Sequence, residues 1–393
     1  MLIAVSGTWQ NERGPYFAEK ALEAIHGQIS RRDCLELWFA CRQGHVGLFV
    51  AGDDEVRQPV RTQLQAAYPE ALLTELADDA PDGRPGDRSW TTELWLRHDI
   101  YPIRRHSEYA DAVDRTFVDP VAIILSALPT GRTGSVRATV RLHLRPCSTT
   151  RRWLAQQTIR QLAGSYFCRH PLMRHLFLRW ATSEFSPVRI AAVAAGSLVT
   201  RQLPSPGDNE RLSPVAHLGE SLTDAAKDKC GRNLFETRIV ITVSAPPKAE
   251  RSALQMLRQI ERTFDAFGTP RLASFGRRRS LPFPRRQRSG FLMSAEELAT
   301  LWHLPTETAR AVRMLLAPHR QLEAPVELPA TDQADVTQIG RTNYGRDRRC
   351  FGIRLEDRRR HLFVVGKTGM GKSTLLYSMI MADLVRGRGV ALF

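Results

Sequence analysis

Apolar and polar positions in the first 150 residues alternate between a two-residue repeat and a helical one, which predicts interleaved strands and helices. Met1–Val5 predicts a strand, and Pro15–Gln28 a helix with Phe17, Leu22 and Ile25 on one face. Cys34–Cys41 and Val46–Val50 are two β-like runs on either side of Gln43-Gly44, a hairpin signal. Asp53–Ala67 reads as a helix opened by Asp53-Asp54 and closed before Pro69. Ala71–Leu76 follows as a strand, and Asp78–Asp87, rich in Asp, Gly and Pro, as a loop. Trp90–Arg97 and Gly134–Leu144 are further strands, the second alternating Val136, Ala138, Val140 and Leu142. Between them lies a helix at Pro120–Leu128 behind an Asp119 cap. The pattern implies sheets with helices packed on one side.

The next stretch is basic and helical. In Arg151–Glu184, Ala155, Ile159, Leu162 and Tyr166 form a stripe, interrupted at Pro171. Around it stand Arg151, Arg152, Arg160, Arg169, Arg174 and Arg179, with Trp153, Phe167 and Trp180. Such a helix packs on its own domain, lies on a membrane interface or contacts DNA, and the first is the commoner outcome. Gln202–Asn209, with two prolines and a glycine, reads as a linker. A second α/β unit then opens with the strand Phe235–Ser244 and the helix Lys248–Phe267, which carries Leu254, Leu257, Ile260 and Phe264 on one side. Gly276–Gly290 is an arginine-rich loop suited to tracking phosphates or to lying in solvent. Ser294 and Glu297 form a capping box for Ser294–His303. The predicted domains are 1–150 (α+β), 151–233 (helical and linker), 234–330 (α/β with the basic loop) and 336–393.

The last of these carries the clearest chemistry. After a strand candidate at Phe351–Leu355, Leu362–Val365 predicts a buried parallel strand and Lys372–Val385 a helix. Leu375, Leu376, Met379 and Ile380 recur along that helix, and Val390–Phe393 predicts another strand. Between strand and helix, Gly366-Lys-Thr-Gly-Met-Gly371-Lys372-Ser373 fits the phosphate-loop pattern G-x-x-x-x-G-K-[ST] in full. Its glycines let successive N–H groups turn toward phosphate oxygens, and the helix adds its positive N-terminal end. Lys372 is expected to reach the β- and γ-phosphates and to act in catalysis, while the Ser373 hydroxyl ligates Mg²⁺. ATP is then held by Gly366, Lys367, Thr368, Gly369, Met370, Gly371, Lys372, Ser373 and Thr374. Six of the 56 Lys and Arg residues are lysine, and Lys367 and Lys372 are two of those six. A chain that places Arg almost everywhere has compact ammonium groups where phosphate needs them.

Composition sharpens the choice of partner. The chain has 393 residues, enough for two or three domains, and a formal charge of +15, which favours nucleic acid or an anionic membrane surface. An arginine-biased composition with solvated faces is the blander explanation. The six cysteines show no C-x-x-C spacing and, with no signal peptide at Met1, predict reduced cytosolic thiols. The longest apolar run, Ile190–Val199, is about half of what a spanning helix requires.

A wider set of residues resembles a known family. Arg341-Thr-Asn-Tyr, Phe351-Gly-Ile, Asp357-Arg-Arg-Arg-His361 and Val365–Thr374 are similar to the start of the motor domain in HerA/FtsK-type ATPases. The similarity is greatest to the conjugative, type IV secretion branch of TraD/TraG-like coupling ATPases. Ala24–Gly27, Tyr101–Ile103, Phe117–Pro120, Phe264–Phe267 and Glu296–Pro305 also resemble that branch. The resemblance implies an α+β region followed by the beginning of a RecA-like P-loop domain, within a homo-hexamer that moves DNA using ATP and Mg²⁺. It further implies a cytoplasmic protein, peripheral at the inner face of the membrane, docked on the components of a membrane-bound secretion channel. In that family the Walker B acid and its neighbouring glutamate lie beyond the position of Phe393, so residues 1–393 are expected to bind ATP with negligible turnover. Two other readings remain: a secretion or pilus-assembly ATPase that acts on protein, and a basic membrane- or nucleic-acid-binding scaffold with a vestigial P-loop.

Overall fold

The computed structural model describes residues 2–8, 11–42, 45–76, 86–110, 117–129, 136–164, 171–183, 186–201, 214–269, 272–278, 290–309, 314, 325, 327–333, 335–342, 348–367 and 369–392. The chain divides into two units, Met1–Arg320 and Gln321–Phe393.

The first unit is built on one sheet. Its strands are β1 (Leu2–Ser6), β2 (Leu35–Arg42), β3 (His45–Gly52), β4 (Leu72–Leu76), β5 (Arg88–Arg97), β6 (Arg137–Pro146), β7 (Leu234–Ala245), β8 (Ser274–Arg277) and β9 (Phe291–Ser294). They lie in the order β4-β1-β3-β2-β6-β7-β5-β8, with β9 paired to the start of β7. Every pairing is antiparallel. Period-two alternation sends Ile3, Val5, Leu35, Leu37, Phe39, Leu48, Val50, Val140, Leu142, Ile239 and Ile241 into one large core.

Helices α1 (Pro15–Gln28), α2 (Asp54–Ala67), α3 (Val121–Ala127), α8 (Glu250–Thr263) and α9 (Ala295–Leu301) contribute to that core. In α1, Ala18, Ala21, Leu22 and Ile25 are buried, a spacing that keeps one helical face inward. The capping box of α9 is present: Ser294 Oγ accepts from Glu297 N–H at 3.3 Å, and Glu297 Oε2 accepts from Ser294 N–H at 2.7 Å. Gly290 opens the way to β9, since a Cβ there would stand 2.8 Å from the Thr237 carbonyl oxygen. A second group of helices, α4 (Thr149–Gly164), α5 (Pro171–Ala181), α6 (Ser186–Arg201) and α7 (Pro214–Gly231), follows β6. Leu154, Phe177, Ala181, Ala192 and Val193 form a small separate core among the first three.

Two expectations change here. The boundaries at 150 and 234 fall inside a single unit, because β7 lies between β6 and β5 with ladders on both sides. Pro171 does not merely interrupt one helix; it opens α5 at the first-turn position proline tolerates.

The second unit contains an antiparallel hairpin of β10 (Val336–Arg341) and β11 (Cys350–Arg354), the single turn α10 (Leu355–Arg358) and α11 (Lys372–Val385). The strands expected at 362–365 and 390–392 are absent: both segments are described, and neither joins a ladder. An extended segment becomes a strand through a hydrogen-bonded neighbour, and none lies alongside these among the described residues. Phe363 and Val365 are accordingly 90% and 78% exposed. The molecule is therefore mixed, with helices packed on a large antiparallel sheet. No described helix is long and apolar enough to cross a membrane, and no disulfide joins the described cysteines.

Candidate nucleotide-binding site

The site is the turn that enters α11. Gly369 and Gly371 have φ values of +82° and +85°, in the left-handed region that costs any residue with a Cβ. Gly371 is the N-cap of α11, and its carbonyl accepts the first helical bond from Leu375 N–H at 2.9 Å. A Cβ built on either glycine would meet nothing within 4 Å. It is therefore backbone conformation, rather than lack of space, that selects glycine at both positions.

Lys372 folds back over the loop. Its ammonium donates to the Gly366 carbonyl at 2.8 Å and to the Lys367 carbonyl at 2.9 Å. Met370 N–H closes a turn onto Lys367 O at 3.3 Å. The first two residues of the loop are thus tied to the amine of Lys372, the first residue of a 14-residue helix whose opening N–H groups have no partner within the helix. Ser373 and Thr374 follow with exposed side chains on the opening turn. An amine, free N–H donors and a hydroxyl at one helix end suit a phosphate chain and its Mg²⁺. The expected residues Gly366, Lys367, Gly369, Met370, Gly371, Lys372, Ser373 and Thr374 are brought together here, while Thr368 lies outside the described residues.

The far end of α11 is held by charge. Asp383 accepts from Arg358 Nη1 at 2.9 Å and Nη2 at 2.6 Å, a two-pronged pairing joined by Arg388 at 3.4 Å. Arg358 also reaches Thr337 Oγ1 at 3.0 Å, and Arg386 donates to the Val336 carbonyl at 2.9 Å, so the helix is tied to β10. The hydrogen bonds from Arg358 hold the Asp383 carboxyl below its ordinary range. Asp383 stands eleven residues beyond Lys372, about 16 Å along the helix, so it is an anchor and not a Mg²⁺ ligand at the loop. Sequence reasoning passed over this pair, because a lone Asp on an otherwise apolar helix carries no motif.

The basic stretches of the first unit divide into arginines held by partners and arginines that stand exposed. Arg151 donates to buried Asp99 at 2.8 Å and to Gly290 O at 3.1 Å, Arg152 donates to the Arg232 carbonyl, and Arg174 reaches Tyr101 Oη at 3.3 Å. Arg160 and Arg179 are exposed, as are Trp153 at 55% and Trp180 at 58%. Arg277 pairs with Glu261 at 2.7 Å and Arg278 with Glu93 at 2.5 Å, while 279–289, most of the expected phosphate-tracking loop, lies outside the described residues. Arg169, Tyr166 and Phe167 lie outside them as well.

The chain matches no protein-family model and no curated protein. Its functional reading accordingly rests on the residues and geometry above.

Proposed function

We propose that the chain binds ATP·Mg²⁺ at 366–374 and belongs to a DNA-translocating motor of the conjugative, type IV secretion kind. The supporting observation is the pair of left-handed glycines that bend the loop around the Lys372 ammonium at the start of α11. In the bound state Lys372 exchanges its two carbonyl partners for phosphate oxygens, and the loop N–H groups take the remaining oxygens. The Ser373 hydroxyl contributes to holding Mg²⁺, which neutralises charge on the phosphates. A RecA-like arrangement around the loop, assembly as a homo-hexamer, and docking on a membrane-bound secretion channel from the cytoplasmic side belong to the same proposal. The net charge of +15 supports a polyanion as the transported partner.

Calorimetry with ATP·Mg²⁺ tests the nucleotide part. A charge-assisted hydrogen bond contributes about 1.5–3 kcal/mol, so Lys372→Ala is expected to weaken ATP by about 10–150-fold. Affinity within threefold of the parent overturns the proposal. Anisotropy with single- and double-stranded DNA tests the partner. Binding that weakens steeply with salt supports DNA, and no binding at low salt transfers the reading to a motor acting on protein.

A further inference from the structure

We propose that Cys34, Glu36 and His143 form a Zn²⁺ site on the face of the sheet opposite its main core, with a fourth position open to solvent. The Cys34 Sγ, one Glu36 carboxylate oxygen and one His143 ring nitrogen all lie within 4.8 Å of one another. Glu36 and His143 are direct register partners across β2 and β6, and Cys34 immediately precedes β2. Two ligands on neighbouring strands are held at the spacing of the ladder, which side-chain motion alone does not change. Glu36 Oε1 stands 2.9 Å from His143 Nδ1, so carboxylate and ring already face one another.

The surrounding groups fix the ligands. Trp38 Nε1–H donates to Glu36 Oε2 at 2.8 Å, which orients the carboxylate and leaves Oε1 turned to the histidine. Cys34 N–H donates to Asp53 Oδ2 at 3.1 Å, which anchors the backbone that carries the thiol. Outer partners of this kind keep first ligands oriented in metal sites. The nearby cations are already engaged. Arg238, opposite His143 on β7, is held by Glu93 at 2.8 and 3.3 Å, and Arg141 lies over the Trp38 ring at 4.1 Å.

A second cluster of comparable spacing, Glu19, His106 and Glu296, argues by contrast. There Arg232 approaches Glu296 at 2.9 Å and Arg105 approaches it at 3.3 Å, so guanidinium groups occupy the place a cation would take. That cluster is an ion-pair network.

The donor set selects the metal. One thiolate, one imidazole and one carboxylate suit Zn²⁺, with bonds of about 2.0–2.3 Å in a tetrahedron. A tetrahedron of such bonds spaces its N and O ligand atoms about 3.3 Å apart, so Glu36 Oε1 and His143 Nδ1 part slightly from 2.9 Å to admit the metal, and the three side chains shift on the order of 1 Å. All three residues are half-buried, so water has access to the fourth position.

The experiment uses the full chain, stripped with chelator and then titrated with Zn²⁺ against a chromophoric chelator, and separately with Co²⁺. One equivalent of Zn²⁺ is expected, weakened in Cys34→Ser and His143→Gln by more than the roughly 10–100-fold that loss of an outer partner costs. Co²⁺ should give a thiolate charge-transfer band in the parent that is missing from Cys34→Ser. Zn²⁺ should also raise the melting temperature of the parent and not of Cys34→Ser, whose near-isosteric side chain leaves the metal-free fold intact. Equal Zn²⁺ affinity in parent and Cys34→Ser, or a Co²⁺ spectrum without the thiolate band, overturns the site even if His143→Gln fails to fold.

Discussion

Glu297→Gln is expected to be among the most damaging single-atom changes in the first unit. Glu297 and Lys229 are both fully buried, at 0% side-chain exposure, with Lys229 Nζ donating to Glu297 Oε1 at 2.9 Å. The same oxygen accepts from Ile103 N–H at 2.8 Å, while Oε2 accepts from Ser294 N–H at 2.7 Å. Lys229 also donates to the Tyr101 carbonyl at 2.9 Å. One ion pair therefore joins the end of α7, the start of α9 and the segment after β5. In Gln, one of the two oxygen positions becomes an NH₂ facing a donor, and the ammonium loses its counter-charge.

Removing one partner of a buried pair costs about 3–5 kcal/mol, because the other charge stays behind in a dry interior. For a unit the size of Met1–Arg320 the unfolding entropy is about 0.7 kcal/mol/K, so the melting temperature should fall by about 4–8 °C. Urea unfolding followed by near-UV circular dichroism gives the free energy directly. Lys229→Met should cost a similar amount, and the double variant should cost less than the sum of the two by more than about 1 kcal/mol. Additivity within about 0.5 kcal/mol, or a Glu297→Gln protein that melts with the parent, would refute the assignment of this pair as a joint between three segments.

Two other expectations concern acid stability and the loop. Burial on its own raises the Asp119 carboxyl, but the charge and hydrogen bond of His303 and two bonds from Thr306 outweigh it, leaving the group below its ordinary value. A carboxyl depressed in the folded state stabilises above its unfolded pKa of about 3.9 and loses that contribution as pH falls through the folded value. The urea midpoint should therefore drop on acidification below about pH 4, with a shallower slope in Asp119→Asn; parallel slopes would contradict this. At the loop, Gly371→Ala forces a Cβ to φ +85°, a cost of about 1–2 kcal/mol, and calorimetry should show ATP bound about 5–30-fold more weakly with Lys372 intact.

Local patterns were legible and long-range pairings were not. Pro15–Gln28 has the same bounds in sequence and structure, because its apolar spacing is a property of the segment itself. Phe235–Ser244 was readable as a strand, yet nothing within it says that β5, some 150 residues earlier, runs alongside. The boundaries at 150 and 234 fall within one unit for that reason. Helices α6 and α7 fall in the stretch 151–233 expected to be helical and linker, but their bounds are not legible, since α6 shows in the sequence as an apolar run and α7 follows a stretch without helical signals. Leu362–Val365 has strand composition, but a strand is a relation between segments, and composition supplies one side of it. Lys229 reads as a surface residue in a charged sequence until Glu297 is brought against it. The loop at 366–374 was legible because its glycines and lysine act through local backbone geometry.

The same distinction separates the arginines engaged in the fold from those left for the proposed nucleic-acid partner. Arg151 and Arg189 are turned onto Asp99, Arg238 and Arg278 onto Glu93, and Arg105 and Arg232 onto Glu296. These arginines are spent on the fold, and replacing them would report on stability. Helices α4, α5 and α6 contain no acidic residue, and there Arg160 and Arg179 stand exposed with Trp153 and Trp180. Cations beside exposed aromatic rings are the combination that holds single strands, by backbone charge and base stacking. Arg160→Ala with Arg179→Ala should therefore reduce the slope of log affinity against log salt for single-stranded DNA by about 1.4, at roughly 0.7 per lost phosphate contact. Trp180→Ala should weaken binding by about 1–3 kcal/mol with little change in slope. An unchanged slope in the double arginine variant, with the parent binding DNA, would move the contact off these helices; a lowered slope would tie the exposed part of the charge to a polyanion.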